Sequence, residues 1–359
     1  MDGTSPPPSD HQEPLKDPIS PLDLTPNLAS LLDLARRGSW RSILDSAAAP
    51  SGSSLLPHQR LALLSFSVLA LLRLRRYSHA NSALQDIDFS SPDHLFQSYP
   101  HLYPDLSGSM IPFSLRFMSC ILPIKLGDKP LGLDRLYSLL DFVRSRIRDV
   151  READDANSAS LAMWRRREVV VVGAILGVHL GNKDFGVCLD LIKALLDDGY
   201  EEDPVLLSKL GYIQMQIGDV AGAKRSFAKV EEVASKQEDN KEVKNLAGRN
   251  KALVYLVAKD YISAVREYEE CIERDGNDVV AINNKALCLM YLRDLSDSIK
   301  VLEGSLERAP TVSLNETLVV NLCSMYELAY VNHSEIKKTL SNWIAQVAPD
   351  DFDSSCTRI

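Results

Sequence analysis

Apolar residues recur at helical spacing along most of the chain, broken by a few polar stretches. The pattern predicts helices from about Asn27 onward. It is clear over Pro112–Leu126 and Leu131–Val150, nearly continuous from Val169 to Leu306, and closes with a pair over Thr317–Ala329 and Glu335–Val347. The breaks carry their own signals. Residues 1–26 hold seven prolines and few apolar side chains, which predicts a disordered tail. Ala49–Pro57 reads as a Ser/Pro loop, Ser90–Pro112 as a long aromatic loop and Asp149–Ser160 as a polar link. The resulting division is 1–26 tail, 27–150 helical hairpins, 158–310 repeats, 311–349 a capping pair and 350–359 a tail.

A second, longer period overlies the first. Lys183-Asp184, Gly218-Asp219, Lys259-Asp260 and Arg293-Asp294 recur at steps of 35, 41 and 34 residues. A period near 34 is that of the tetratricopeptide repeat, two antiparallel helices that stack into a solenoid. Asn250-Lys251-Ala252 returns 34 residues later as Asn284-Lys285-Ala286. Helices approach closely only where small residues sit at the crossing, and larger ones fill the space between. That assigns packing positions to Gly211, Ala223 and Phe227, to Ala252, Tyr255, Ala264 and Tyr268, and to Ala286, Ser298 and Leu302. Leu176, Cys188 and Ile192 take these places one unit earlier. The 41-residue step is one unit plus a polar insertion over Ser235–Glu242. Arg37-Gly38-Ser39-Trp40, Arg75-Arg76-Tyr77 and Gly127-Asp128-Lys129 are weaker echoes, equally readable as ordinary hairpin turns. Either way the fold class is all-α, an α-solenoid of tetratricopeptide-like hairpins.

Composition narrows the partners. A net charge of −9 argues against nucleic acid or an anionic membrane as the main one. The basic clusters Arg144, Arg148, Arg151 and Arg165-Arg166-Arg167 read as solvated faces or protein contacts. Six cysteines lie outside any CxxC and mostly in helical stretches, as expected of reduced, buried thiols in a cytosolic protein. The apolar runs Leu61–Leu72 and Val169–Leu180 are about 12 residues, short of the roughly 20 needed to span a bilayer. Gly173, Gly177 and Gly181 form a small-residue ladder, expected to let a neighbouring helix pack close. The glycosylation triplets at Asn315 and Asn332 lack a secretory signal and carry no weight.

No phosphate loop, GxGxxG, HExxH, GxSxG or paired CxxC is present. The histidines are dispersed, so no metal, cofactor or catalytic residue is assigned. A binding surface is expected instead. The first helices of stacked repeats line a groove, which nominates Arg249, Leu253 and Leu256, then Asn283, Leu287, Met290 and Tyr291. Phe96, Tyr99 and Tyr103 make the loop 90–112 a candidate contact. The terminal Thr357-Arg358-Ile359 fits a carboxylate-capture ligand weakly.

Several strings are more specific than repeat positions. Ser98-Tyr99-Pro100-His101-Leu102-Tyr103-Pro104, Gly108-Ser109-Met110-Ile111-Pro112-Phe113-Ser114-Leu115-Arg116 and Leu133-Asp134-Arg135-Leu136 resemble the middle of the trafficking protein particle (TRAPP) complex subunit 12 family. Asn321-Leu322-Cys323-Ser324-Met325-Tyr326-Glu327-Leu328 resembles its last repeat, and Asp350-Asp351-Phe352 with Cys356 its tail. The resemblance implies a non-catalytic subunit of a vesicle-tethering complex in endoplasmic reticulum-to-Golgi traffic. It implies partners among the large subunits 8, 11 and 13, an indirect link to a Rab GTPase, and a cytoplasmic location peripheral to Golgi membranes. Animal members carry a long acidic N-terminal extension. Here a short Pro-rich segment precedes the helices, and roles tied to that extension are not carried over. The alternative is a co-chaperone or peptide-binding adaptor that grips an acidic C-terminus. Asn250 and Asn284 suit it, but Lys251 and Lys285 directly follow them and point elsewhere.

Overall fold

The computed structural model describes residues 26–48, 55–85, 87–152, 158–237 and 239–358. The Pro-rich segment before Pro26, most of the loop 49–57, part of the link 149–160 and Ile359 lie outside the described residues. Among the described residues the architecture is helical, without a β-sheet. The chain forms two compact units, up to Val178 and from His179.

The first unit contains α1 (Pro26–Arg36), α2 (Trp40–Ala48), α3 (Pro57–Arg73), α4 (Tyr77–Gln85), α5 (Phe113–Leu126) and α6 (Lys129–Glu152), and most of α7 (Ser158–Asn182). α1–α2, α3–α4 and α5–α6 are hairpins. The second unit contains α8 (Phe185–Asp197), α9 (Pro204–Gln216), α10 (Val220–Lys236), α11 (Lys241–Val257), α12 (Tyr261–Arg274), α13 (Val279–Tyr291), α14 (Leu295–Arg308), the short α15 (Pro310–Ser313), α16 (Glu316–Ala329) and α17 (His333–Val347). Here α9–α10, α11–α12, α13–α14 and α16–α17 are hairpins, and α10 packs on α11, α12 on α13 and α14 on α16.

One turn builds these hairpins. One residue just past each first helix takes a left-handed conformation, with φ of 65° at Lys183, 85° at Gly218, 62° at Lys259 and 67° at Arg293. The left-handed residue's own amide bonds three residues back, and the next amide reaches back five, from Asp184 to His179, Asp219 to Gln214, Asp260 to Tyr255 and Asp294 to Leu289, at 2.8–2.9 Å. This double hydrogen bond satisfies the last carbonyls of one helix. At three of the turns the same Asp then starts the next helix: Asp219, Asp260 and Asp294 accept the amides of Gly222, Ser263 and Asp297. Gly38, Arg75 and Gly127 in the first unit make the same turn, with amides from Ser39, Arg76 and Asp128 to the carbonyls of Leu34, Leu71 and Pro123. The weaker echoes thus have the geometry of the clear ones.

The polar insertion falls partly in helix, with Ser235 and Lys236 ending α10 and Lys241 and Glu242 beginning α11. α10 and α11 are 17 residues each, against 13 or 14 in α12, α13 and α14, so the extra residues lengthen the two helices. Among the described residues no helix packs close at Gly177 or Gly181 of the glycine ladder, where a Cβ would meet no heavy atom within 4 Å.

Candidate protein-binding surfaces

The small-residue positions sit in the interior of the second unit. Ala252, Ala264 and Tyr268 share one buried cluster with Cys271, Ala281 and Cys288, and Tyr255 packs against it. Ala286 and Leu302 lie in the next cluster, where Leu318, Leu322 and Tyr326 join them. Ser298 is buried too, its hydroxyl donating to the Ala286 carbonyl at 2.7 Å. Tyr268 is fully buried; burial raises its hydroxyl pKa, and Asn284 Nδ2 donates to it at 3.3 Å. Gly211 faces the Phe227 ring, whose Cδ1 lies 2.6 Å from where a Cβ would stand. Ala223 is buried in the same hairpin.

The groove candidates separate into three groups. Arg249 is an internal ion-pair partner: it binds Asp278, a buried carboxylate that also caps α13 by accepting the Ala281 amide at 3.0 Å. Buried Asn245 completes this network, donating to Asp278 at 2.9 Å and accepting from Arg274 at 2.7 Å. A carboxylate so far from water requires such a counter-charge, which removes Arg249 from the ligand-facing set. Asn283 is likewise internal, accepting from Asn321 at 2.8 Å across the stack. Leu256, Leu287 and Met290 pack against the two core clusters, and Leu253 is half-buried. Tyr291 alone is open, 58% exposed, and stacks on Tyr261 with centroids 5.0 Å apart. It sits at the hairpin edge.

The aromatic loop packs on its own unit. Phe96 and Tyr103 are buried in a cluster with Leu61, Val68 and Leu115, and Tyr99 packs against it. Their rings meet edge to face at 5.0 Å, and the Tyr103 hydroxyl lies 2.6 Å from His58 Nδ1. Two backbone bonds, Phe96 to Gly108 and Met110 to His94, close the loop. Phe96 and Tyr103 are therefore withdrawn as contact residues, because burying the rings in this unit stabilises more than exposing them. The C-terminal stretch is also packed. Cys356 joins Val319, Cys323 and Ile344, Thr357 is buried, and the ammonium of buried Lys337 donates to the Arg358 carbonyl at 2.9 Å. A ligand for carboxylate capture needs a free strand, and Thr357 does not supply one.

The basic clusters are partly internal as well. Arg144 pairs with Glu168, which is 1% exposed, at 2.8 Å. Arg167 lies over Phe113 and Trp164 at 4.9 and 4.4 Å, and burial lowers its pKa. Neither the Asn245–Asp278–Arg274 network nor these stacks is visible in the periodicity. Asp278, an acid just before a helix, was the one available signal. Among the described residues no group of three His, Cys, Asp or Glu could hold a metal, and no helix is long and apolar enough to cross a membrane.

These features define a class: a tetratricopeptide-type helical repeat protein whose polar and charged interior groups serve the stacking of its hairpins. No protein-family model matches the chain. It is 30% identical over 307 residues, 82% of its length, to trafficking protein particle complex subunit 12 of both Mus musculus and Homo sapiens. Over these 307 residues the chain is similar to that subunit family. It spans about two fifths of the length of these curated relatives, 38% of the mouse and 42% of the human protein. Among solved structures it is similar to a tetratricopeptide repeat protein from Parabacteroides merdae, at 12% identity and TM-score 0.36, covering 92% of this chain and 94% of that one. The APC/C hetero-tetramer Cut9-Hcn1 matches at 13% identity and TM-score 0.40, covering 85% of this chain and 49% of that one.

Proposed function

We propose that this protein is a non-catalytic scaffold subunit of the TRAPP vesicle-tethering complex, acting in endoplasmic reticulum-to-Golgi transport. The observation that carries the reading is the match over 82% of the chain to TRAPP subunit 12. A fold that presents surface, with its ionisable interior committed to packing, supports the non-catalytic part. On this reading the large subunits 8, 11 and 13 are its neighbours, each held through modest contacts that add by avidity. The link to a Rab GTPase runs through other subunits, and the protein works in the cytoplasm against Golgi and intermediate membranes.

The co-chaperone reading gains no support. Lys251 and Lys285, the cations beside Asn250 and Asn284, pair with Glu267 at 2.7 Å and Glu269 at 3.0 Å. Arg249 is held by Asp278. The test is affinity purification of the tagged chain from cells at low salt, with mass spectrometry. Core and large TRAPP subunits in near-equal amounts are expected. Heat-shock chaperones alone would overturn the proposal.

A further inference from the structure

The hairpin turns of the second unit leave large apolar side chains in solvent at one recurring place. Val257 and Ile262 flank the α11–α12 turn, Tyr291 and Leu292 lead into the α13–α14 turn, and Leu328 and Val331 lie at the α16–α17 turn. Exposure is 58% at Ile262 and complete at Val331. Single apolar residues scattered over a surface need no explanation, but exposed apolar side chains gathered at neighbouring turns mark an interaction site. The two central turns form one patch, because Tyr261 of one stacks on Tyr291 of the other.

Two of these turns, α11–α12 and α13–α14, also carry a cation where backbone conformation disfavours it. The left-handed position is cheapest for glycine, as at Gly218, yet it is Lys183, Lys259 and Arg293 in the other three turns. Among the described residues none of these three side chains pairs with an acid. The adjacent carboxylates are turned back on their own helices: Asp260 accepts from the Ser263 amide at 3.1 Å and Asp294 from Asp297 at 3.2 Å. Asp184 lies 3.1 Å from the His179 ring. A helix C-terminus favours a basic residue by its dipole. That accounts for the charge but not for the apolar side chains beside it.

We propose that this edge, centred on Lys259, Ile262, Tyr291 and Arg293, docks an acidic amphipathic helix of another subunit of the complex. The proposal rests on the scaffold reading above. The exposed aliphatic and tyrosine side chains receive the apolar face of such a helix. The unpaired Lys and Arg meet its Asp and Glu side chains, fixing orientation and register. Tyr and Arg are the residue types that dominate binding energy at interface centres. An anionic bilayer fits less well. Membrane-binding patches gather roughly four to eight basic residues, and this edge offers Lys259 and Arg293 on a chain of net charge −9.

The test places a photo-crosslinking benzoylphenylalanine at Ile262, and at exposed Glu307 as control, in the full chain expressed in cells. After irradiation the tagged complex is purified and the crosslinked peptides are sequenced. The expected product from position 262 is a segment of another TRAPP subunit with Asp and Glu along one helical face. Lys259→Glu with Arg293→Glu should reduce it at least tenfold, and Lys259→Arg with Arg293→Lys should leave it. Crosslinks to lipid, to no protein, or to a segment without an acidic face, in a complex that still co-purifies, would overturn the docking edge and leave the scaffold reading standing. Loss of every TRAPP subunit from the purification would overturn both.

Discussion

Replacing Gly211 with alanine should destabilise the protein, although the same change in an open helix stabilises. Alanine exceeds glycine in helix propensity by about 1 kcal/mol. Gly304 in α14 provides the open case, because no heavy atom lies within 4 Å of its Cβ position. At Gly211 the added carbon enters the Phe227 ring. That ring is 6% exposed and meets Tyr212 edge-on at 5.6 Å, so it has little room to step aside. Overpacking of this kind costs about 1–3 kcal/mol. The net expectation is a loss of about 0–2 kcal/mol for Gly211→Ala and a gain of about 1 kcal/mol for Gly304→Ala. Urea unfolding followed by circular dichroism measures both, compared as midpoints because repeat arrays need not unfold in one step. In a Phe227→Leu background the Gly211→Ala penalty should shrink by about 1 kcal/mol or more, the signature of direct contact. A Gly211→Ala variant as stabilised as Gly304→Ala would refute the assigned hairpin packing.

Other expectations follow from the same physics. Arg249→Met leaves the buried Asp278 carboxylate without its cation and should cost about 3–5 kcal/mol, read as a lower midpoint in the same urea series. Ala286→Trp should lower the midpoint and loosen subunit assembly together; an unchanged midpoint would contradict the register. Burial pushes the Cys288 and Cys356 thiols up to about 11. At pH 8 roughly one thiol in a thousand is then ionised at each, and alkylation of the native protein should be slow until urea exposes them. Asp260 has its pKa lowered by the Ser263 hydrogen bonds. Its stabilising effect is therefore full above the ordinary Asp range and lost as pH falls through its lower native pKa. Asp260→Asn should accordingly be less stable than the parent at pH 7, and the difference should narrow toward pH 3.

The hairpins were legible because one turn repeats its chemistry. A left-handed residue past the first helix and a capping Asp after it are local requirements, and local requirements leave sequence marks. The buried alanines were legible for a similar reason, since close helix crossings admit few residue types. The groove was not. Whether Arg249 faces solvent or Asp278 depends on how one hairpin sits on the next, and the sequence between them, which separates the two by 29 positions, carries no sign of it. The same holds for Phe96 and Tyr103. Aromatic residues in a long irregular loop suit a partner or the parent core equally well, and the choice is made by the apolar face that α3 and α5 leave uncovered. Residues 348–358 are too short for a period, so the burial of Cys356 and Thr357 could not be anticipated.

The proposed role is that of a scaffold holding other TRAPP subunits together. Native size-exclusion of the complex from cells lacking the protein tests this most directly, with quantitative mass spectrometry across the fractions. The account predicts that subunits 8, 11 and 13 leave the core fractions and return when the full chain is re-expressed. A complex of unchanged size and composition without the protein would contradict it.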